Sequence, residues 1–219
     1  MSVSVHAGTI NVFATLCPMS TRAFDQSQLL RYITALHEAA HAFVAHKSEH
    51  WKINDPTVTF PHSSTGHLAR AHFGPKVMQP NMTKEHVREF IKIGFAGVHG
   101  QNLIEERLLL SVLSSTMAGC EDDFSEIEKK AKAAGIEHEV EHLMQQSLDL
   151  VNGNSQAIHA LADVIYSATS NVSRAASLKV LGSDFKPEPA SSRPNPLPDQ
   201  PLVFNGLFGW FKSIFNRKG

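Results

Sequence analysis

The fold class this sequence predicts is mainly α, with a small β-hairpin and a flexible C-terminal tail. Three observations carry it. Apolar residues recur at spacings of three and four along most of the chain between Asp25 and Leu181. Two short runs between Thr57 and Phe73, the first of them β-branched, read instead as paired strands. Beyond Ser183 the composition turns to Pro, Ser and charge. These divisions set the expected organisation: an N-terminal segment 1–24, a domain 25–182, a Pro-rich linker 183–201 and a tail 202–219.

The first helix is expected over Asp25–Lys47, where Leu29, Ile33, Leu36, Ala40 and Phe43 share one stripe. Trp51–Pro56 then reads as a turn, and Thr57–Phe60 as a strand stopped by Pro61. His62–Gly66 is a loop and His67–Phe73 the second strand, broken by Gly74, Pro75 and Pro80. A long helix over Thr83–Leu113 is expected to loosen near Gly94, Gly97 and Gly100. Three glycines at spacing three also predict close packing against another helix, at about 1 kcal/mol each relative to Ala. Helices at Glu121–Ala134, Glu137–Val151 and Asn154–Leu181 complete the domain. Gly135, Gly153 and Gly182 stand where helix C-termini would close.

At 219 residues the chain can bury one substantial core. A formal net charge of −1 gives no bulk attraction for nucleic acid. Two cysteines, Cys17 and Cys120, do not make a disulfide framework and point to a reducing cytoplasm. Cys120 reads as a small buried thiol. Residues 1–21 lack a basic region followed by an apolar one, so no signal peptide is read there, and no apolar run is long enough to span a bilayer.

His37-Glu38-Ala39-Ala40-His41 carries the chemistry. Chance supplies a His-Glu-x-x-His match only about 0.04 times in a chain of 219 residues with thirteen His and thirteen Glu. On a helix, residues four apart lie on one face, so both imidazoles can reach one metal ion. Glu38 points elsewhere around the helix and is left to act as a base on water at the metal's open position. Zinc hydrolases use this division of labour. The apolar stripe puts His37 and His41 at its edge, at a core boundary.

A tetrahedral zinc holding one water needs a third protein ligand. Glu105, Glu106, Asp122 and Asp123 are carboxylate candidates, and His67, His72 and His99 offer a third imidazole. Val44 and Lys47 occupy positions that the three-His metzincin pattern gives to Gly and His, so that pattern is absent.

His37-Glu38-Ala39-Ala40-His41-Ala42-Phe43-Val44-Ala45 resembles the HEAGHAxVA signature of the FtsH-type AAA+ zinc metalloproteases, with Ala40 in place of Gly. Thr57–Leu68 is similar to that family's strand and glycine loop, and Ser114–Phe124 to its S-T-G-A-x-x-D-L segment. The resemblance covers roughly Phe24–Leu181. It implies a helical zincin-like metallopeptidase domain, zinc held by His37, His41 and Asp123, and Glu38 as catalytic base. The family's G-R-A-A-E segment is poorly kept around Gly97–Ile104, and no role is carried over there. No Gly-rich phosphate loop ending in Lys-Ser/Thr occurs, so the resemblance is to a freestanding peptidase domain without the ATPase motor. ATP-independent hydrolysis of flexible or unfolded protein substrates is the expectation. Thr57–Phe60 is a candidate for pairing with an extended substrate. The alternative expectation is a non-catalytic zinc-binding regulatory or adaptor module.

In the tail, Leu207, Phe208, Phe211, Ile214 and Phe215 follow one helical face beside Trp210, with Lys212, Arg217 and Lys218 around them. This amphipathic pattern suits a membrane surface, a partner's groove or docking back onto the chain's own domain through residues 202–217. Deleting residues 202–219 is expected to abolish co-sedimentation with anionic vesicles; equal partitioning of the two proteins would exclude the membrane contact.

Overall fold

Residues 26–60, 69–78, 82–108 and 120–182 are described by the structure, a computed structural model. The first helix, α1, runs over Gln26–Lys47. From Tyr32 to Ala45 every residue except Thr34 is buried. A helix apolar on one stripe lies on a surface; one apolar nearly all round becomes the centre of a core. Ala35, Ala39, Ala40, Ala42 and Ala45 make this possible, because small side chains let neighbours close in on several sides. The expected stripe edge therefore does not exist. His37 and His41 lie inside the domain, at 6% and 4% exposure.

Two strands follow, β1 (Trp51–Thr59) and β2 (Arg70–Pro75), paired antiparallel. The turn expected at Trp51–Pro56 is instead the first half of β1. Trp51, Lys52 and Ile53 face Pro75, Gly74 and Phe73; after a shift of register, Val58 and Thr59 face Ala71 and Arg70. The Asn54-Asp55-Pro56 turn signal is real but local, spent on that irregularity between Ile53 and Val58. β2 begins later than expected and continues through Gly74 and Pro75, which are tolerated at a strand end. Residues 61–68, including the expected loop and His67, lie outside the described residues.

The hairpin is anchored on both sides. Trp51 packs against Phe73 and Phe90, and its indole N–H donates to the carbonyl of His86 at 2.9 Å. Glu89 ties the preceding turn, accepting from the Ser48 hydroxyl and from the backbone N–H of Glu49 (3.3 Å) and His50 (2.9 Å).

Helix α2 (Lys84–Leu108) runs unbroken through Gly94, Gly97 and Gly100. The expected loosening does not occur because tertiary packing outweighs propensity. A Cβ at Gly94 would press on Ile127 at 2.8 Å, and one at Gly100 would lie 2.6 Å from both Ala40 Cβ and the Leu36 carbonyl oxygen. These glycines are contact points. Residues 109–119, including the end of the expected helix, lie outside the described set.

α3 (Glu121–Ala134) ends at Gly135, whose φ of 65° is the left-handed cap conformation. One 3₁₀ turn (Glu137–Glu139) leads into α4 (Val140–Gly153), where the buried Ser147 hydroxyl donates to the Lys92 carbonyl of α2 at 2.7 Å. The single helix expected over Asn154–Leu181 is two, α5 (Ser155–Ser167) and α6 (Arg174–Leu181). The Ser/Thr/Asn-rich stretch between them offers side chains that compete for backbone groups, and the Ser173 hydroxyl caps α6 through the Ala176 N–H at 3.2 Å. Apolar spacing continues across the break and conceals it. Val172 in this connection bonds β1 on the side away from β2, its N–H donating to Val58 O at 2.9 Å and its carbonyl accepting from Thr57 N–H at 2.8 Å.

Among the described residues, no helix is long and apolar enough to cross a membrane. The expectations for residues 1–24 and 183–219 lie outside the described residues.

Gly135→Ala tests the cap in isolation, since nothing lies within 4 Å of the added Cβ. The expected loss is about 1 kcal/mol of stability from the left-handed backbone alone, read from urea denaturation midpoints.

Candidate metal centre

α1 presents His37 and His41 one turn apart, and their Nε2 atoms come within 2.9 Å of each other. α3 supplies the third group. Its opening turn carries Asp123, whose Oδ2 lies 3.2 Å from each of the two nitrogens. Three donor atoms on two helices thus converge on one point. Asp123 is 29% exposed, whereas the two imidazoles are buried.

Two imidazole lone pairs and a carboxylate oxygen aimed at one position repel one another unless a cation or protons stand between them. The spacing of the donors is also close to that of a tetrahedral metal site. Zinc–nitrogen and zinc–oxygen bonds of about 2.0–2.2 Å in a tetrahedron require donors about 3.3–3.5 Å apart. The observed 2.9 and 3.2 Å are only slightly tighter. His37, His41 and Asp123 can therefore hold a metal ion, with one side left for water.

The electrostatics follow the geometry. Burial pushes His41 down, but the Asp123 carboxylate outweighs it and raises the ring to about 9. Burial likewise works against ionised Asp123, yet the two imidazoles hold its carboxyl well below the usual carboxylate range. His41 is oriented from behind, with its Nδ1 donating to the Ile93 carbonyl of α2 at 2.7 Å. That bond leaves the Nε2 lone pair facing the shared point.

Glu38 is buried but stands outside the ligand group. Its Oε2 accepts from the backbone N–H of Ala71 on β2 at 2.5 Å. The expected candidate for substrate pairing, Thr57–Phe60, is corrected here. Val58 already has β2 on one side and Val172 on the other, and the Phe60 N–H donates to Asn171 at 3.2 Å. The strand edge that meets Glu38 belongs to β2.

Of the other candidate ligands, those whose side chains are described stand outside the group. Asp122 is exposed and outside the group, so of the two adjacent acids it is Asp123 that converges with the imidazoles. His72 Nε2 bonds the Thr59 hydroxyl at 2.8 Å. His99 lies against Phe95, and burial lowers it to about 4. Glu105 and Glu106 are in the closing turn of α2, and His67 is outside the described residues. A second cluster, Glu49, His50 and Glu89, can also hold a cation, but Glu89 is already engaged by backbone N–H groups as a turn clip.

Gly97 and Gln101 escaped the sequence reading as parts of the site, whereas Cys120 is the buried thiol expected there. Gly97 is the closest: a Cβ there would lie 2.5 Å from Cε1 of His37 and closer still to Nε2 of His41. The glycine spacing signalled close packing but not its target. Cys120 Sγ lies 3.9 Å from Nδ1 of His37 and 3.5 Å from Oε1 of Gln101. Burial pushes the Cys120 thiol up to about 12, so it stays protonated.

No protein-family model matches the chain, and no curated protein matches it.

Gly97→Ala is expected to lower affinity for Zn²⁺ by on the order of 10-fold or more, measured by competition with a chromophoric chelator, because both imidazoles must move. A pH dependence also follows for metal-stripped protein. His41 is raised from 6.5 to about 9, so its contribution to stability is complete below pH 6.5 and lost as the pH climbs to 9. Denaturation midpoints should fall across that window, and Asp123→Asn should flatten the fall.

Proposed function

We propose that this chain is a zinc metallopeptidase of the FtsH type, hydrolysing peptide bonds in flexible or unfolded protein segments without ATP. The observation that carries the reading is the division of roles around one helix. His37 and His41 join Asp123, while Glu38, one residue away, is buried nearby and free of the ligand group. A structural metal site has no use for that carboxylate. A hydrolytic one does.

Zinc, when bound, supplies Lewis acidity that lowers the pKa of water and polarises a carbonyl. The chain's own part is to position the reactants. His37, His41 and Asp123 would hold the ion and leave one side open. Glu38 takes the proton from the attacking water and delivers it to the leaving amine. Its link to the Ala71 N–H holds the carboxylate at the edge of β2, where an extended peptide can add as a strand and present its backbone to the base. One turn back along α1, Leu30 and Ala35 line a cavity of about 640 Å³ together with Phe60, Ile165 and Tyr166. Ala35 stands three residues before Glu38 on α1, and the recess offers room for an apolar side chain of a bound segment.

The test compares wild type with Glu38→Gln for zinc content and for cleavage of unfolded casein. Stoichiometric zinc in both proteins and a rate loss of about 10²–10⁴ in the variant are expected. Zinc with no hydrolysis by wild type would instead indicate a non-catalytic zinc-binding module, and unchanged cleavage by Glu38→Gln would overturn the mechanism.

A further inference from the structure

The two ligand imidazoles are held from behind in different ways. Behind His41 stands the Ile93 carbonyl, which can only accept. Behind His37 stands the Cys120 thiol, which can donate or accept and so cannot by itself fix where the ring proton sits. Gln101 removes the ambiguity. Its Oε1, 3.5 Å from Sγ, takes the thiol proton and leaves the sulfur as an acceptor toward Nδ1 of His37, 3.9 Å away.

We propose that Gln101 and Cys120 act in series as positioning residues for His37, a relay from α2 through the start of α3 to α1 that keeps the Nδ1–H toward the sulfur and the Nε2 lone pair toward the metal position. The inference rests on the zinc reading above. All three side chains are buried: His37 at 6%, Gln101 at 5% and Cys120 at 1%. Water therefore does not easily replace a lost partner. Cys120 is also the residue immediately before α3, three positions ahead of Asp123. The same short segment thus delivers one ligand and orients another. Groups that orient a metal-binding imidazole typically change metal affinity by about 10–100-fold when removed.

The experiment measures Zn²⁺ affinity of the full chain by chelator competition in wild type, Gln101→Leu, Cys120→Ala, Cys120→Ser and the Gln101→Leu/Cys120→Ala double variant. Each of Gln101→Leu and Cys120→Ala should lose about 10–100-fold. Cys120→Ser should stay within a few-fold of wild type, since a hydroxyl can make both bonds. Because the two residues act in series, the double variant should be no weaker than the worse single one. Proton NMR of the zinc-loaded protein supplies a second readout: the His37 Nδ1–H resonance should shift in Cys120→Ser and exchange faster with water in Gln101→Leu. Thermal unfolding of the metal-free single variants monitors folding separately. Additive losses, or wild-type affinity in both Gln101→Leu and Cys120→Ala, would overturn the relay while leaving the zinc reading intact. A wild-type protein that takes up no Zn²⁺ overturns the zinc reading, and the relay with it.

Discussion

The approach of α2 to α1 at Gly97 is the constraint on which the rest of the structure depends. Two imidazoles project from α1 into the interior, and another helix must pass directly over them. Only a residue without a side chain fits there. Gly94 and Gly100 extend the same close contact toward α3 and toward the α1 backbone. Once α2 is seated, its Ile93 carbonyl reaches His41, its Gln101 reaches Cys120, and its Phe90 receives Trp51 from the hairpin. The helix gives up intrinsic propensity at three positions and recovers it through packing.

Burying two imidazoles and a carboxylate in such a core carries a desolvation cost that their mutual attraction must offset. The domain reduces the cost by leaving Asp123 partly exposed and by giving each imidazole a partner on its far side. The converging donor atoms still need a cation or protons among them. That requirement links the stability of the metal-stripped domain to pH, through the same atoms that would bind a metal.

The hairpin links this centre to its surroundings. β1 is clasped between β2 and Val172, which leaves β2 as the strand that meets Glu38. On the proposed peptidase reading, that strand is where the backbone of a substrate would pair.

How much of this was legible in the sequence depends on the range of the interactions involved. Helical periodicity and the His-Glu-x-x-His spacing are local, so α1, α3 and the pair His37 and His41 could be read directly. Gly135 marked its cap because a left-handed residue is a local event too. The errors came where distant parts of the chain compete with local signals. Asn54-Asp55-Pro56 read as a turn, yet pairing with β2 absorbed it as an irregularity. The break between α5 and α6 lay hidden under continuous apolar spacing until Val172 bonded β1. The choice of Asp123 over Asp122 rested on resemblance alone until the fold set Oδ2 3.2 Å from both nitrogens. By itself, the sequence determined a helix that brings two imidazoles together and sets a carboxylate between them along the chain, because three side chains within five residues need only the pitch of an α-helix to align. The tertiary structure decided which carboxylate converges on the two imidazoles, the strand that meets Glu38 and the partners behind each imidazole. Those depend on how separate elements pack, which no spacing along one element encodes.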